Sequence, residues 1–459
     1  MALILVLLKL ALFAATIRAV DFPSTCDDDC RATYDQAFAL DAGLWENPDL
    51  SSHPLYSTSE NLDDYSIGSL IKWQDEPAST ASESFWVPSG LSFSRFSYVS
   101  QDINGALLPA SAFVLTPYHN PLGTDKPFPV VVWAHGTAGY TPQCAPSNDR
   151  RLQYQWQGPF ALAQQGYVVI APDYAGLGTT IPNGFMYNAG IAHANDVSLA
   201  VNAARAHLSD QISDEWVVVG HSEGGLTAWR TAQREVDHKR AVGGFIGAVA
   251  ISPAMEVMSL VPWVIEKAKG GPLQEVFIPY MLRSIARLFP SFDLAKYATK
   301  RLIEISELSM DGCLNVAIPL LWNMTLADMY LNEANFTSAP EVQQWQRQYH
   351  GNGSHELGGP LLVLHGETDF ILPHSHIEKI FDEQCDAFPE SAAQYRLLPG
   401  LDHDGVVQAS HAVYFPWIAD RFNGRELEAG CTKDKIRPAT QRFSTVEQVW
   451  ISGGQLYVE

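Results

Sequence analysis

The spacing of hydrophobic residues predicts a chain in which buried strands alternate with helices. Two β-rich runs, at 92–101 and 106–116, flank Asp102-Ile-Asn-Gly, which is a signal of a hairpin turn. Uninterrupted apolar runs follow, as is typical of parallel strands covered on both faces, at 129–134, 167–171, 216–220, 245–251, 360–364 and 394–398. Helical patterns lie between them at 160–165, 196–207, 225–234, 377–385 and 406–420. This order predicts an α/β fold with a mostly parallel central sheet flanked by helices.

The alternation stops between residues 252 and 358, which are rich in Leu, Ile, Met, Trp and Pro. At 277–289, Phe277, Met281 and Ile285 fall on one helical ridge, whereas Arg283 faces away. We interpret this stretch as a large helical cap inserted into the sheet domain. A separate packed domain without a role at the functional site is the alternative.

The first 19 residues have the pattern of a secretory signal peptide. Their apolar run is interrupted by Lys9, closes on the small residue Ala19 and is followed by polar sequence. A membrane anchor is the alternative, but the segment is short for a span of about 20 residues and lacks a basic stop-transfer flank. Three N-glycosylation sequons, which would fit an exposed segment of a secreted protein, begin at Asn323, Asn335 and Asn352.

These patterns divide the chain into six predicted parts. They are the signal peptide at 1–19, an N-terminal extension at 20–91, the first part of the sheet domain at 92–252, the cap at 253–357, the second part of the sheet domain at 358–423 and a C-terminal tail at 424–459. The extension and the tail are polar and irregular in pattern, and the pattern indicates no role for them.

Composition and charge narrow the class of protein. The 459 residues are 46% hydrophobic, which is a globular composition and excludes wholesale disorder. The chain has 29 Lys and Arg against 51 Asp and Glu, a net charge of −22, which argues against a nucleic-acid partner. A large, acidic, well-packed chain of this kind is typical of an enzyme.

Six cysteines are an even number that fits three disulfides in an oxidising compartment. A zinc site is the alternative, but Cys26 and Cys30 stand in a C-x3-C spacing and no C-x2-C spacing occurs. Cys385, at a predicted helix end, and Cys431, in the tail, are expected to pair.

The strongest chemical signal is Gly220-His-Ser222-Glu-Gly224, which follows an apolar strand and precedes a helical pattern. A nucleophilic serine has to sit on a strained strand-to-helix turn, and the flanking glycines allow close backbone contacts there. The start of the following helix then favours a developing oxyanion. Ser222 is therefore the predicted nucleophile.

A second strand, within 131–139, ends in His135-Gly-Thr137. A loop at this place can supply a backbone N–H to the oxyanion, so we expect the oxyanion hole to consist of the N–H groups of Thr137 and Glu223. His135 and His221 are expected to pack structurally rather than to titrate in the site. The side chain of Glu223 is expected to point into the first turn of its helix, with a catalytic role as the alternative.

A serine nucleophile needs a base, and the base needs a carboxylate that fixes its tautomer. On this fold the chain order is Ser, then Asp or Glu, then His, at the carboxyl ends of late strands. Asp369 follows the strand at 360–364 and is the predicted acid, with Glu367 as its rival. His403 follows the next strand and is the predicted base. The 34 residues between Asp369 and His403 fit one helix and one strand, which argues against a surface-loop histidine.

These residues resemble a known family. The string Val131-Val-Trp-Ala-His-Gly-Thr-Ala-Gly139, Gln-Cys144-Ala-Pro-Ser, Ala-Pro-Asp173-Tyr-Ala-Gly-Leu-Gly and Gly-His-Ser222-Glu-Gly-Gly resemble the secretory lipase family of fungi and actinobacteria. That family is a capped branch of the α/β-hydrolases that includes lipase A-type yeast enzymes. The resemblance covers about residues 92–423. It implies an α/β-hydrolase fold, hydrolysis of carboxylic esters, often acylglycerols, without a cofactor, and the triad and oxyanion roles named above.

The expected protein is a secreted serine lipase or esterase, with an ester or acylglycerol as its substrate and any contact with a lipid interface made through the cap. No metal is expected, because His374 and His376, near a helix start, are more often solvent-facing or capping than ligands. A serine peptidase, an acyltransferase and a non-catalytic recognition protein are the alternatives. Amide substrates, alcohol acceptors and a failure of fluorophosphonate labelling, respectively, would indicate them.

Overall fold

The structure is a computed structural model, and it describes residues 20–57, 61–120, 122–123, 125–237 and 242–444. The predicted signal peptide at 1–19 lies outside the described residues. None of the helices in the described ranges is both long enough and apolar enough to cross a membrane.

Ten strands of the described chain form one sheet in the order β1-β2-β3-β5-β4-β6-β7-β8-β9-β10. The strands are β1 (Leu70–Glu76), β2 (Leu91–Gln101), β3 (Leu107–Pro117), β4 (Phe128–Ala134), β5 (Val168–Pro172), β6 (Ile212–His221), β7 (Phe245–Ile251), β8 (Leu361–Gly366), β9 (Ala393–Leu398) and β10 (Cys431–Lys435). Strands β4 to β10 run parallel to one another, and β1, β2 and β3 form an antiparallel end of the sheet. The predicted hairpin and all six predicted apolar strands are present.

Helices cover both faces of the sheet, which explains the continuous apolar runs in its central strands. In β4, Val130 and Val132 pack into one hydrophobic cluster, whereas Val131 and Trp133 pack into another. The helices that flank the sheet are α3 (Pro159–Gln164), α4 (Gly190–Leu208), α5 (Glu223–Arg234), α12 (His374–Ala387), α13 (Gly405–Ala409) and α14 (His411–Phe422). The single helix predicted at 406–420 is thus two helices, which meet at Ser410.

The connection between β7 and β8 is mostly helical. It contains α6 (Val261–Ala268), α7 (Phe277–Leu288), α8 (Lys300–Ser309), α9 (Leu314–Leu321), α10 (Leu326–Met329) and α11 (Pro340–Trp345), together with shorter turns. Helix α7 lies where the ridge of Phe277, Met281 and Ile285 predicts it. The division of the chain into extension, sheet domain, cap and tail stays a prediction.

The segments before β2 and after α14 contain regular structure, so the interpretation of 20–91 and of the described part of the tail, 424–444, as irregular was wrong. Helices α1 (Asp28–Leu44) and α2 (Ala78–Glu83) and strand β1 lie in the first segment, and β10 lies in the second. Strands β1 and β10 are edge strands, and an edge strand can be polar because water satisfies its open side. The polar sequence Cys-Thr-Lys-Asp-Lys of β10 therefore lacks the apolar pattern that would predict a strand.

Three disulfides join the six cysteines: Cys26–Cys30, Cys144–Cys313 and Cys385–Cys431. The expected pairing of Cys385 with Cys431 is confirmed, and it ties α12 to β10. The bond between Cys144 and Cys313 joins the loop after β4 to the start of α9. Helix α1 supports the same place, since the Asp41 carboxylate accepts the backbone N–H of Cys313 at 2.6 Å and an amide N–H of Asn315 at 2.7 Å.

Candidate active site

Ser222 lies on a tight turn between β6 and α5. Its backbone has φ 58° and ψ −117°, a conformation that residues other than glycine rarely adopt. Its N–H donates to the carbonyl of Ile251 at 2.9 Å, and its carbonyl accepts the N–H groups of Leu226 and Ala254, both at 3.0 Å. Main-chain hydrogen bonds therefore hold the strained residue in place and leave the hydroxyl free for chemistry.

The glycines of the serine motif are required by backbone packing. A Cβ atom on Gly220 would lie 2.0 Å from the carbonyl oxygen of Gly224, and a Cβ atom on Gly224 would lie 1.9 Å from the carbonyl oxygen of Ala134. The obstructing atoms are backbone atoms of the turn and of β4, so they cannot swing aside as a side chain would.

Replacing Gly224 with Ala is therefore expected to lower the free energy of unfolding by about 3 kcal/mol. Urea unfolding of the variant and the wild type measures this difference. Gly43, in helix α1, is a matched control because a Cβ atom there meets nothing within 4 Å. Gly43→Ala is expected to be neutral or to stabilise by up to about 1 kcal/mol. Equal stability of Gly224→Ala and the wild type would contradict the packing argument.

Asp369 and His403 are hydrogen-bonded to each other. The Nδ1 of His403 donates to Oδ2 of Asp369 at 2.8 Å, and both side chains are buried. The other oxygen of Asp369 accepts the backbone N–H groups of Ile371 at 2.9 Å and Leu372 at 2.8 Å. Two backbone N–H groups thus hold one oxygen of the carboxylate, and the other oxygen accepts the N–H of the His403 imidazole.

The electrostatics of the pair favour the charged forms of both groups. Burial alone would raise the pKa of Asp369, but the charge of His403 and hydrogen bonds from His365 and His403 hold it well below its usual range. Burial alone would lower the pKa of His403, but the charge and hydrogen bond of Asp369 raise it above the ordinary histidine value. An imidazole placed in this way accepts a proton readily.

The rival acid lies elsewhere. Glu367 forms a surface ion pair with Lys435 of β10 and has no contact with His403 among those described. His365, by contrast, is a residue of the site that the sequence reasoning missed. It is fully buried, and its Nε2 lies 3.2 Å from Oδ2 of Asp369 and donates to the carbonyl of Leu372 at 2.9 Å. A histidine in an otherwise apolar strand, four residues before Asp369, was the sequence signal that could have found it.

His135 and His221 are buried and hydrogen-bonded to backbone carbonyls, as expected for structural histidines. Nε2 of His135 lies 3.1 Å from the carbonyl of Asp173, and burial lowers the pKa of this imidazole to about 4. Nε2 of His221 lies 2.8 Å from the carbonyl of His403, and burial lowers the pKa of His221 well below its usual value. This contact brings the loop of His403 against the serine turn.

The loop that contains Thr137 also lies against the serine turn, since a Cβ atom on Gly136 would come within 3.0 Å of the carbonyl oxygen of His221. Thr137 is buried, and its hydroxyl lies 2.6 Å from that of Tyr187. Glu223 is the first residue of α5, where backbone N–H groups have no partner inside the helix. The loop of one predicted oxyanion residue, Thr137, therefore lies against the serine turn, and the other, Glu223, directly follows the serine.

The side chain of Glu223 is buried and turned away from solvent. One oxygen accepts the backbone N–H of Asn188 at 2.7 Å, and the same oxygen lies 3.8 Å from Nδ1 of His193. Burial raises the pKa of Glu223 to about 8. A neutral carboxyl beside the nucleophile does not repel a developing oxyanion as a carboxylate would.

A turn with left-handed backbone conformation contacts the site, and the sequence pattern does not predict it. Four successive residues, Leu152, Gln153, Tyr154 and Gln155, have φ between 40° and 58°. The hydroxyl of Tyr154 lies 2.8 Å from Nδ1 of His221, and the amide of Gln153 donates to the carbonyl of Thr137 at 3.2 Å. Such a run is unfavourable for L-residues, so it is held by its surroundings.

A small apolar pocket of about 40 Å³ lies beside Ser222. Val264 of α6 and Phe277, Ile278 and Met281 of α7 line it, as does Leu372 from the loop of Asp369. The connection between β7 and β8 thus contributes much of the wall that faces the serine.

One acidic side chain lines this pocket, and a lysine of α6 binds the loop of Asp369. Glu275 lines it, and one of its oxygens accepts the N–H groups of Phe277 at 2.5 Å and Ile278 at 2.8 Å. Burial raises the pKa of Glu275 to about 7. Lys267 of α6 donates to the carbonyl of Phe370 at 2.6 Å and lies 5.4 Å from the centre of that ring. Helix α6 is therefore clasped to the loop that holds Asp369.

One group of side chains in the described residues has converging metal-ligand atoms, namely His221, His403 and Asp404. Both nitrogens of His221 and Nδ1 of His403 already have hydrogen-bond partners, so we assign no metal to this group. His374 begins α12, and Nε2 of His376 donates to the carbonyl of Met255 at 3.0 Å. The two histidines therefore do not form a ligand pair.

The asparagines of the three sequons, Asn323, Asn335 and Asn352, are exposed. All three lie in the connection between β7 and β8. Their glycosylation stays a prediction.

Comparison with known proteins places the chain in a family. A family model described as "Secretory lipase" matches residues 151–430, which is more than half of the chain. Lipase 4 of Candida albicans is 24% identical over 290 residues, which cover 59% of this chain and 58% of that protein. A secreted triacylglycerol lipase of Malassezia globosa is 23% identical over 291 residues, 59% of each chain. The match spans about three fifths of the length of these curated relatives.

A solved structure resembles the whole fold. The closed state of Candida antarctica lipase A superposes with a TM-score of 0.66 at 16% identity, covering 89% of this chain and 94% of that chain. This likeness shows the fold and confirms the predicted α/β-hydrolase class. The family model covers more than half of the chain, at residues 151–430, and the chain belongs to the secretory lipase family.

Proposed function

We propose that the protein is a secreted serine hydrolase of carboxylic esters. Ser222 is the nucleophile, His403 the general base and Asp369 the group that orients His403. The observation that carries the proposal is the 2.8 Å hydrogen bond between Asp369 and Nδ1 of His403, on a loop that contacts the serine turn through His221. The chain order of these residues is that of the α/β-hydrolase triad.

In the proposed reaction, the hydroxyl oxygen of Ser222 attacks the ester carbonyl carbon while Nε2 of His403 takes its proton. The carbonyl oxygen becomes an oxyanion that accepts hydrogen bonds from the N–H groups of Thr137 and Glu223. The tetrahedral intermediate collapses, and the alcohol leaves with the proton from His403. Water then attacks the acyl-enzyme by the same route, which releases the acid and restores the Ser222 hydroxyl.

The cap at 253–357 would supply the acyl pocket. Val264, Phe277, Ile278 and Met281 are apolar residues of this segment beside Ser222, and an acyl chain placed among them leaves water. Any contact with a lipid interface would be made through the same segment. Lipid esters as substrates fit the secreted triacylglycerol lipase to which the chain is similar.

Export from the cell is part of the proposal. The pattern of residues 1–19, the three disulfides and the three exposed sequons fit an oxidising, extracellular setting. The family description and the relative from Malassezia globosa point the same way.

A substrate panel tests the reaction class. Esters of C2 to C16 acids, as p-nitrophenyl esters and as emulsified triacylglycerols, should be hydrolysed with a preference for particular chain lengths. The matching p-nitroanilides should be cleaved far more slowly. A fluorophosphonate should label Ser222, as peptide mapping by mass spectrometry will show. Faster cleavage of the amides than of the esters would contradict the proposal, as would absence of labelling.

A further inference from the structure

His403 is held both through its side chain and through its backbone carbonyl. Its ring is bound by Asp369, whereas its backbone carbonyl accepts a hydrogen bond from Nε2 of His221 at 2.8 Å. The rings of His221 and His403 are 4.6 Å apart between their centres. The position of the base relative to Ser222 thus depends on the residue that directly precedes the nucleophile.

The contact between His221 and His403 works with only one tautomer of His221. A carbonyl oxygen can only accept, so Nε2 of His221 has to carry the proton. A neutral imidazole has one N–H, so Nδ1 is then an acceptor. The hydroxyl of Tyr154 lies 2.8 Å from Nδ1 and is the donor that this tautomer requires.

The place of Tyr154 is set by the left-handed turn at 152–155. The ring of Tyr154 packs edge-on against that of Trp133 with a centre distance of 5.2 Å, and Gly136 leaves space for the hydroxyl. A Cβ atom on Gly136 would lie 2.1 Å from that hydroxyl. The strained backbone, the space left by Gly136 and the contact with Trp133 together fix the position of the Tyr154 hydroxyl oxygen.

We propose that Tyr154 is a positioning residue that locks the Nε2–H tautomer of His221 and so fixes the loop of the base His403 against the Ser222 turn. The inference rests on the proposed function, since it assigns His403 as the base. When the tyrosine hydroxyl is absent, Nδ1 of His221 loses its donor, and only the carbonyl of His403 still favours the Nε2–H tautomer. In the other tautomer, two lone pairs face each other across the contact between His221 and His403, and the base moves away from the serine.

Replacing Tyr154 with Phe tests this role, because it removes the hydroxyl and keeps the ring. We expect kcat for p-nitrophenyl butyrate, per active site titrated with fluorophosphonate, to fall about 10- to 100-fold, with KM nearly unchanged. Titration removes any contribution from misfolded protein. Tyr414→Phe is the matched control, because Tyr414 has a buried hydroxyl that lacks a hydrogen-bond partner among the described residues. Its kcat should equal that of the wild type.

A second variant and a spectroscopic measurement separate positioning from general packing. Gln at position 221 can donate an amide N–H to the carbonyl of His403 without any tautomer, so Tyr154→Phe should have much less effect in a His221→Gln background. The ¹⁵N shifts of the His221 imidazole should report the Nε2–H tautomer in the wild type and a lower population of it in Tyr154→Phe.

Unchanged kcat per titrated site in Tyr154→Phe overturns the proposal, and so does an unchanged His221 tautomer. The NMR measurement needs no substrate. A wild type that is inactive and unlabelled but has the Nε2–H tautomer would therefore contradict the proposed function while leaving the hydrogen-bond chain intact.

Discussion

Replacing Ser222 with Ala is expected to lower kcat for p-nitrophenyl butyrate about 10⁶-fold, close to the uncatalysed background of the assay. The loss is large because no other group can form the acyl-enzyme, and the base and oxyanion groups act only through the nucleophile. The fold should survive, since Ser222 holds its strained turn with main-chain hydrogen bonds that Ala retains. Steady-state kinetics and a thermal melt measure the two effects.

Ser252 offers a matched control for this experiment. It follows β7 as Ser222 follows β6, it also has a positive φ of 41°, and it is completely buried. Its N–H donates to the carbonyl of Leu364 at 2.8 Å, so its backbone is held in the same manner. Ser252→Ala should keep wild-type kcat. Near-full activity of Ser222→Ala would exclude the proposed mechanism.

Replacing Asp369 with Asn is expected to lower kcat about 10⁴-fold with little change in folding. The oxygen that accepts the N–H groups of Ile371 and Leu372 can remain, which turns the new NH₂ group toward Nδ1 of His403. His403 then has to accept at Nδ1 and carry its proton at Nε2, which is the nitrogen that has to receive the serine proton. Glu367→Gln, two residues earlier and on a surface ion pair, is the control and should be near wild type.

The same variant has a signature in the pH profile. The reaction requires neutral His403, so activity is lost as pH falls through the pKa of that group. Asp369 raises that pKa above the ordinary histidine value, so the acid limb of the wild type should lie above pH 6.5. In Asp369→Asn the raising charge is gone and the limb should move to lower pH. An acid limb at the same pH in both enzymes would show that the carboxylate does not act on His403.

The central strands and the order of the site residues could be predicted because the signals are local. Residues 129–134 of β4 and 216–220 of β6 are buried on both faces of the sheet, so these positions are apolar and the run is recognisable from the sequence alone. Gly220 and Gly224 mark the serine turn because backbone atoms occupy the space of a Cβ. Asp369 and His403 follow from their positions at strand ends.

The remaining features depend on contacts between distant residues. Strand β10 is exposed along much of its length and is ordered by pairing with β9 and by the disulfide to Cys385. The turn that contains Tyr154 adopts positive φ without a glycine, so no residue type in it announces the conformation. Only the folded structure shows the contact between Tyr154 and His221 from which we infer a role for this turn.

Among the contacts that attach the predicted cap to the rest of the chain, two differ in kind. At one side a covalent bond closes a loop of 169 residues between the chain after Thr137 and the start of α9. At the other, Lys267 holds the loop of Asp369 by a hydrogen bond and a ring contact, which thermal motion can break. Any movement that separates α6 from the loop of Asp369 has to break the second contact, whereas the disulfide keeps the start of α9 beside the loop after β4.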